Sequence, residues 1–482
     1  MTARTRTIWT FVITSIALFM TQLDNLVVTT ALPVIRLNLH ASLSSLEWTV
    51  NAYTLTFAVL LLTGASLGER FGRRRLFLIG MVVFTAGSAA AALAPSAGWL
   101  ILARAIQGAG SAIVTPLTLT LLSAAVPVER RGAALGAWGA VAGLAISSGP
   151  LVGGAVVQGW SWQTIFWINV PIGLVLLPMA WRRLDESYGT ATKLDVPGVL
   201  LASSGLLGVV LGLVRANALG WTSSYVLTAL IGGGALVAAF VRWELRAEQP
   251  MLPMRLFRSR GFSAANGASV LMFFGMFGSI FLLSQALQTM QGYSPLGAGL
   301  RMLPWTGMPI VVAPLAGILA DKIGSRPVVA VGLALQAIGL GWLAEIVRPD
   351  TPFTHLIPAF VISGMGMAMF FAPTANLVLS TVRRSEEGIA SGAANALREI
   401  GGVLGVAILA SVFSAHGGYG TPHTFELGLR PAVWVGAAAV GLAALVLLAV
   451  PRRAATVDDE DVDVTLDHAA PAQLVGMGAS AS

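Results

Sequence analysis

Six ionisable side chains stand inside long apolar stretches of this sequence: Asp24, Arg104, Arg301, Glu345, Arg398 and Glu399. A charge in such a run is costly to bury, so it faces a cavity, pairs with a partner, or moves a proton or ion. Asp24 lies about 24 Å along a helix from the start of the first run, at about 1.5 Å per residue. Arg104 lies roughly 8–10 Å from the opposite edge, near the start of the fourth run. The two sit at similar depth, where a carboxylate and a guanidinium can share one cavity. Two readings follow: a proton or cation site at Asp24 tuned by Arg104, or a fixed ion pair that locks helix packing. Arg398 and Glu399 lie about 16 Å into the thirteenth run, near its middle. Neighbouring helical residues point about 100° apart, so they need not face each other. Glu399 is either a second protonatable site or the partner of Arg301 in a local salt bridge. Glu345, near a run's end, is expected to snorkel to water. His40, His355, His416 and His423 fall in connections or at a span edge and His468 in the tail, so none is placed as a proton relay.

The rest of the inventory excludes several chemistries. Cysteine is absent, which removes thiolate nucleophiles and cysteine-held metals. No His/Glu/Asp cluster has metal-ligand spacing, so no metal and no cofactor is expected. No Walker sequence is present, so ATP is not the expected driver. A polytopic membrane enzyme would need a catalytic constellation at one membrane face, and none is visible.

The elements that must position these residues are helices in a bilayer. Of 482 residues 56% are hydrophobic and only 11% charged, against about 25% charged in a soluble domain. The mean hydropathy is +0.79. A spanning helix needs about 20 mostly apolar residues. Fourteen such runs are predicted, at 8–31, 47–67, 76–94, 99–125, 133–157, 165–181, 195–215, 222–241, 262–287, 297–320, 327–347, 355–380, 388–415 and 431–450. With fourteen spans both termini share one side. That side collects 22 of the 29 Lys and Arg residues, and the opposite side 4. By the positive-inside rule both termini are cytoplasmic. The net charge of +7 therefore marks topology, and no nucleic-acid partner is expected.

Two connecting loops repeat. Leu67-Gly68-Glu69-Arg70-Phe71-Gly72-Arg73-Arg74 and Leu319-Ala320-Asp321-Lys322-Ile323-Gly324-Ser325-Arg326 share a pattern of Leu, small, acid, base, apolar, Gly, any, Arg. Glycine there permits a tight turn between helices. The acid and bases can pair across neighbouring helix ends and part when two halves rock. The offset is about two helices too long for two six-helix halves. The expected organisation is a six-helix bundle at 1–181, two inserted helices with their linkers at 182–260, a second six-helix bundle at 261–450, and a disordered acidic tail at 451–482.

These residues resemble the major facilitator superfamily, and within it the 14-helix drug:proton antiporters, over about 1–450. Leu23-Asp24-Asn25-Leu26-Val27-Val28-Thr29-Thr30-Ala31-Leu32-Pro33 looks like that group's first-helix signature. Trp48 and Ala52-Tyr53, Glu69 to Arg75, Arg104-x2-Gln107-Gly108-x-Gly110, and Phe166-x2-Asn169-Val170-Pro171 are similar to its later motifs. So are Ser294-Pro295-x2-Ala298-Gly299-Leu300 and Arg398-x2-Gly401-Gly402-x2-Gly405. Gly136-x8-Ala145-x3-Gly149-Pro150-x2-Gly153-Gly154 resembles the fifth-helix motif typical of exporters, with Ala145 replacing a glycine. Glu69 stands where aspartate is usual, and Glu399 where glutamine is usual.

The resemblance implies an all-α membrane fold of two pseudo-symmetric six-helix bundles plus two central helices. It implies proton-coupled export of small lipophilic, cationic drugs or antibiotics by alternating access, by a monomer in the plasma membrane of a bacterium. The partners expected are a small-molecule substrate, protons and the lipid bilayer. An endogenous secondary metabolite is the alternative cargo; a non-transporting sensor is the rarer alternative on this fold. Asp24, Arg104, Arg398 and Glu399 are the candidates for proton coupling or substrate. Glu69, Arg70, Gly72, Arg73, Asp321, Lys322, Gly149, Pro150, Gly153 and Gly154 are the candidates for gating. In helix 5, Gly149, Gly153 and Gly154 admit a close helix neighbour, and Pro150 loosens the backbone. Met272, Phe273, Met276, Met365 and Met369 are candidate cavity walls, since flexible methionine and aromatic surfaces adapt to varied ligands.

Overall fold

A computed structural model describes residues 3–127, 131–188, 195–248, 250, 252–382 and 387–448. The expected acidic tail lies outside them. The described chain is helical, with no strand among those residues. The helices are α1 Ala3–Asn38, α2 Leu43–Phe71, α3 Arg73–Ala92, α4 Ala97–Ala125, α5 Arg131–Gly159, α6 Thr164–Trp167, α7 Asn169–Arg183, α8 Val196–Leu219 and α9 Ser224–Glu244. After a short 3-10 turn follow α10 Arg260–Gln285, α11 Pro295–Thr306, α12 Met308–Ile323, α13 Ser325–Ile346, α14 Phe353–Leu379, α15 Glu387–His416 and α16 Pro422–Leu448.

Local chemistry starts and breaks these helices. Ser42, Ser96, Asp195, Ser259 and Ser294 cap α2, α4, α8, α10 and α11 with side-chain oxygens on first-turn amides, satisfying donors that a helix leaves orphaned. Pro295 occupies the first turn of α11, where its missing N–H costs nothing. The α11–α12 span breaks at Gly307, between Pro304 and Pro309, and α2 bends by 49° between Leu61 and Thr63.

Twelve helical stretches are long and apolar enough to cross a membrane, thirteen when the bent α2 is one span. Fourteen were expected. The remaining predicted span, 133–157, falls on α5, a continuous helix of 29 residues.

α1–α7 form one bundle and α10–α16 the other, with α8 and α9 as a hairpin beside them. Within that hairpin Gly208 and Gly233 bring the two backbones together, a Cβ on Gly208 falling 3.0 Å from the Gly233 Cα. The hairpin packs on α2 and α15, one helix from each bundle. The bundles meet along α2 with α15, and along α5 with α11.

Near the far end of α1 the halves share one continuous core, joining Leu26, Leu32 and Leu46 to Phe281, Leu287 and Trp305. Polar contacts cross the seam there too. Ser284 Oγ donates to Thr29 O (3.3 Å), Gln288 Nε2 to Thr30 O (2.9 Å), and the Leu296 amide to Gln158 Oε1 (3.2 Å). The molecule is therefore sealed at the end opposite the Gly72 and Gly324 turns.

Candidate functional site

The α5 motif builds the seal. A Cβ on Gly149 would fall 2.7 Å from Leu26 Cβ of α1, and one on Gly153 would meet Thr30 and Val27 of the same helix. The next face turns to the other bundle. Gly154 abuts the Pro295 carbonyl and Leu296 of α11, and Gly299 of α11 abuts the Pro150 carbonyl. Such backbone-to-backbone contact needs small residues on both sides. The residues that resemble an exporter motif are thus the ones wedged between α1 and the opposite half.

Asp24 and Arg104 meet, as depth alone suggested. They form an ion pair deep in the first bundle, with both side chains fully buried. Asn169 Nδ2 (2.7 Å) and Gln107 Nε2 (3.2 Å) donate to Asp24 Oδ1. Arg104 Nε donates to Thr49 O (3.1 Å) and Nη1 to Gln107 Oε1 (3.1 Å). Its guanidinium lies 4.2 Å from the Tyr53 ring centroid, and the Tyr53 hydroxyl bridges Thr21 O and Ser111. Gln107, Asn169, Tyr53 and Ser88, which accepts from Gln107 (2.8 Å), complete the network. Three of those four were visible as motif positions, yet their spacing in sequence gave no sign that they converge on one carboxylate.

Arg398 and Glu399 stand differently. No ion pair joins them among the described residues. Glu399 Oε2 is buried with no hydrogen-bond partner, and so is Arg398 Nε. Arg398 reaches Asn395 Oδ1 only at 3.4 Å. Its guanidinium sits 5.9 Å and 5.8 Å from the ring centroids of Phe273 and Phe370. Phe273 in turn packs against Phe277 and Phe371. A half-buried base and four aromatic rings thus share one locale of the second bundle, with the half-buried Glu399 next to that base in the chain. The local bridge to Arg301 is not formed: Arg301 lies 3.6 Å over the Tyr293 ring and donates to Gly297 O. Glu345 pairs with Arg430 and accepts from Trp434 Nε1 (2.8 Å) at the helix ends.

Of the candidate cavity walls, Met272, Phe273 and Met276 are buried. Met369 packs on Gly332 of α13. Met365 is 36% exposed and does not join the aromatic group.

The two repeated turns share a backbone conformation, Gly72 at φ +102° and Gly324 at φ +91°, a region other residues rarely adopt. Their surroundings diverge. Glu69 pairs with Arg73 (3.9 Å), and Glu186 accepts from the amides of Arg74 (2.9 Å) and Arg75 (3.2 Å). Arg70 is exposed and lies over Phe71. Asp321 and Lys322 are exposed and form no ion pair among the described residues, while Arg326 donates to the carbonyls of Leu447 and Leu448 ending α16.

Comparison with known proteins places this geometry. Residues 14–196 and 265–473 match the family model of the Major Facilitator Superfamily; the stretch between them carries most of the α8–α9 hairpin. Multidrug resistance protein Stp of Mycobacterium tuberculosis (strain CDC 1551 / Oshkosh) is 35% identical over 84% of this chain and 76% of its own length. The Tetracenomycin C resistance and export protein of Streptomyces glaucescens is 34% identical over 85% and 76%. The crystal structure of a peptide transporter, POT, superposes with a TM-score of 0.66 at 16% identity, covering 92% of this chain and 93% of that one. This multi-pass membrane protein belongs to the Major Facilitator Superfamily.

Proposed function

We propose that the chain exports small lipophilic, cationic drugs or antibiotics from the cell in exchange for protons, by alternating access of the two bundles. The relatives named for drug and antibiotic resistance support export. The reading places the protein as a monomer in the plasma membrane with both termini cytoplasmic, following the basic loops. The seal of α5 on α1 and α11 then closes the outer side.

One observation carries the mechanism: a Glu399 carboxyl oxygen without a partner, next in the chain to Arg398, whose guanidinium lies over Phe273 and Phe370. A buried carboxyl without a donor is stable only when neutral, or when a cation arrives. A lipophilic cation supplies that charge and finds aromatic faces to receive it. A proton supplies the same neutralisation without the cargo. The two therefore compete for one group, which is the requirement for exchange. Asp24 and Arg104 hold the first bundle in the shape that this exchange works against. Each proton entering down the membrane potential contributes about 2.3 kcal/mol per 100 mV.

The test is efflux from proteoliposomes with an imposed pH gradient, screened over cationic dyes and antibiotics. Substrate-linked proton flux is expected. Its absence for every compound overturns the reading. The tetracenomycin relative, a resistance and export protein, favours a second cargo, an endogenous secondary metabolite carried by the same route.

A further inference from the structure

Glu47 lies in the second turn of α2, and it is 3% exposed. Its Oε2 is fully buried with no hydrogen-bond partner, and no ion pair reaches it among the described residues. None of the motifs above includes it. Its neighbour Leu46 belongs to the core that both halves share, which sets it at the outer seam. Arg36, in the last turn of α1, lies 4.0 Å over the ring of Tyr419, in the turn joining α15 to α16. The Tyr419 hydroxyl donates to Gln285 of α10. Burial pushes the Tyr419 phenol up; the Arg36 charge opposes this, and the Glu47 charge adds to it. Two residues beyond Glu47, the Thr49 carbonyl holds Arg104.

The charged and titratable groups around Glu47 are few. α1 brings Arg36 and, deeper, Asp24, which is committed to Arg104. α4 brings Arg104 itself. α15 and its following turn bring Arg398 and Glu399 deeper in, then Tyr419. Arg215 of α8 and His40 of the α1–α2 turn are exposed. Arg36, the cation at this level of the seam, is spent on the tyrosine ring. Closing the seam therefore strips water from the Glu47 carboxyl and supplies nothing for its charge, so the closed form needs the carboxyl neutral. Opening returns it to water, where the anion is stable.

We propose that Glu47 is a proton-binding site of the outer seal: a proton taken from the outside neutralises it and permits the halves to close. The proton is the ligand and the seam is the site, separate from the Glu399 locale. The proposal rests on the alternating-access reading above and adds an external proton sensor to it.

The chain has no cysteine, so one introduced thiol reports alone. Ser284→Cys places it in the seam beside Thr29, and a membrane-impermeant maleimide added outside reads how often the seam opens. Labelling, expressed relative to a free thiol at the same pH so that thiolate ionisation cancels, should quicken as external pH rises, with a slope of up to about tenfold per pH unit for one proton. In the S284C chain, Glu47→Gln should label slowly at every pH. Glu47→Asp, which keeps a titratable group, should retain a slope and shows that the site tolerates change. A Glu47→Gln chain with the parent slope, or a Glu47→Asp chain with none, overturns the proposal. Labelling needs no substrate. A missing proton-linked efflux with the slope intact would therefore count against the export reading alone; a flat parent profile with efflux intact would count against this one alone.

Discussion

Two acid–base combinations lie within the bundles, one buried as an ion pair and one half-buried without one, and they are built differently. Asp24 and Arg104 come from different helices and close a network in which the carboxylate takes three donors and the guanidinium is stacked on Tyr53. Arg398 and Glu399 are neighbours on one helix, form no ion pair with each other, and leave Nε and Oε2 without partners. A buried pair whose carboxylate takes three donors is an anchor, although Arg104 Nη2 has no partner, because breaking it strands a charge. An unsatisfied one is poised, because its best partner is something that arrives. On the proposed reading, the difference gives rigidity to the first bundle and exchange to the second.

The most direct way to break this comparison is Arg104→Ala. It leaves Asp24 buried and unpaired, which should cost about 3–5 kcal/mol. Thermal unfolding in detergent should show a large drop in Tm. A Tm equal to that of the unaltered chain would mean that Asp24 is not anchored and that the contrast is false. Glu399→Gln should do the reverse. A neutral isostere replaces a carboxyl that has no donor to lose, so Tm should hold while efflux loses its dependence on the imposed pH gradient. Gradient-driven efflux that survives this change would remove Glu399 from the mechanism.

Sequence and structure agree unevenly, and the reason is physical. Span positions follow from local apolar runs, and the glycine turns from a local backbone need, so both were legible. The depth of Asp24 and Arg104 along their helices brought them together correctly, because helical rise is regular. The network around them was not legible. Asn169 reaches Asp24 from 145 residues away, and nothing in a one-dimensional pattern aims it there. Glu47 was missed for a related reason: at the start of a span it reads as an interfacial carboxylate, and only tertiary packing buries it. The Arg301–Glu399 bridge, one of the two readings left open for Glu399, is not formed, and Tyr293 and Phe353 take the guanidinium instead.

If the second bundle is where exchange occurs, its locale must open through the seam, and the fit at Gly154 should govern that. A Cβ there meets the Pro295 carbonyl and lies 2.9 Å from Leu296 Cα. Gly154→Leu should therefore wedge α5 from α11. Overpacking of this kind costs about 1–3 kcal/mol, charged here to the closed form alone. The expected result is a shift toward the outward-open state, read as faster labelling of S284C and slower efflux. Unchanged labelling would show that α5 and α11 do not seal the path.

The smallest effect is the contrast between the two repeated turns, where the same division recurs in miniature. Both glycines hold positive φ, so alanine at either should cost about 1–2 kcal/mol in backbone strain. Only Gly72 carries a second cost. Its added Cβ would lie 2.8 Å from the Glu186 carboxyl carbon and displace that group from the amides of Arg74 and Arg75. At Gly324 the nearest atom is Pro327 Cδ at 3.9 Å, so strain is the whole effect. Gly72→Ala should thus lower Tm more than Gly324→Ala, and removing the acceptor first, in Glu186→Ala, should bring the two penalties together. Equal penalties with Glu186 in place would mean that the turn of the first bundle is as loose as that of the second, and that the asymmetry between the halves is confined to their buried pairs.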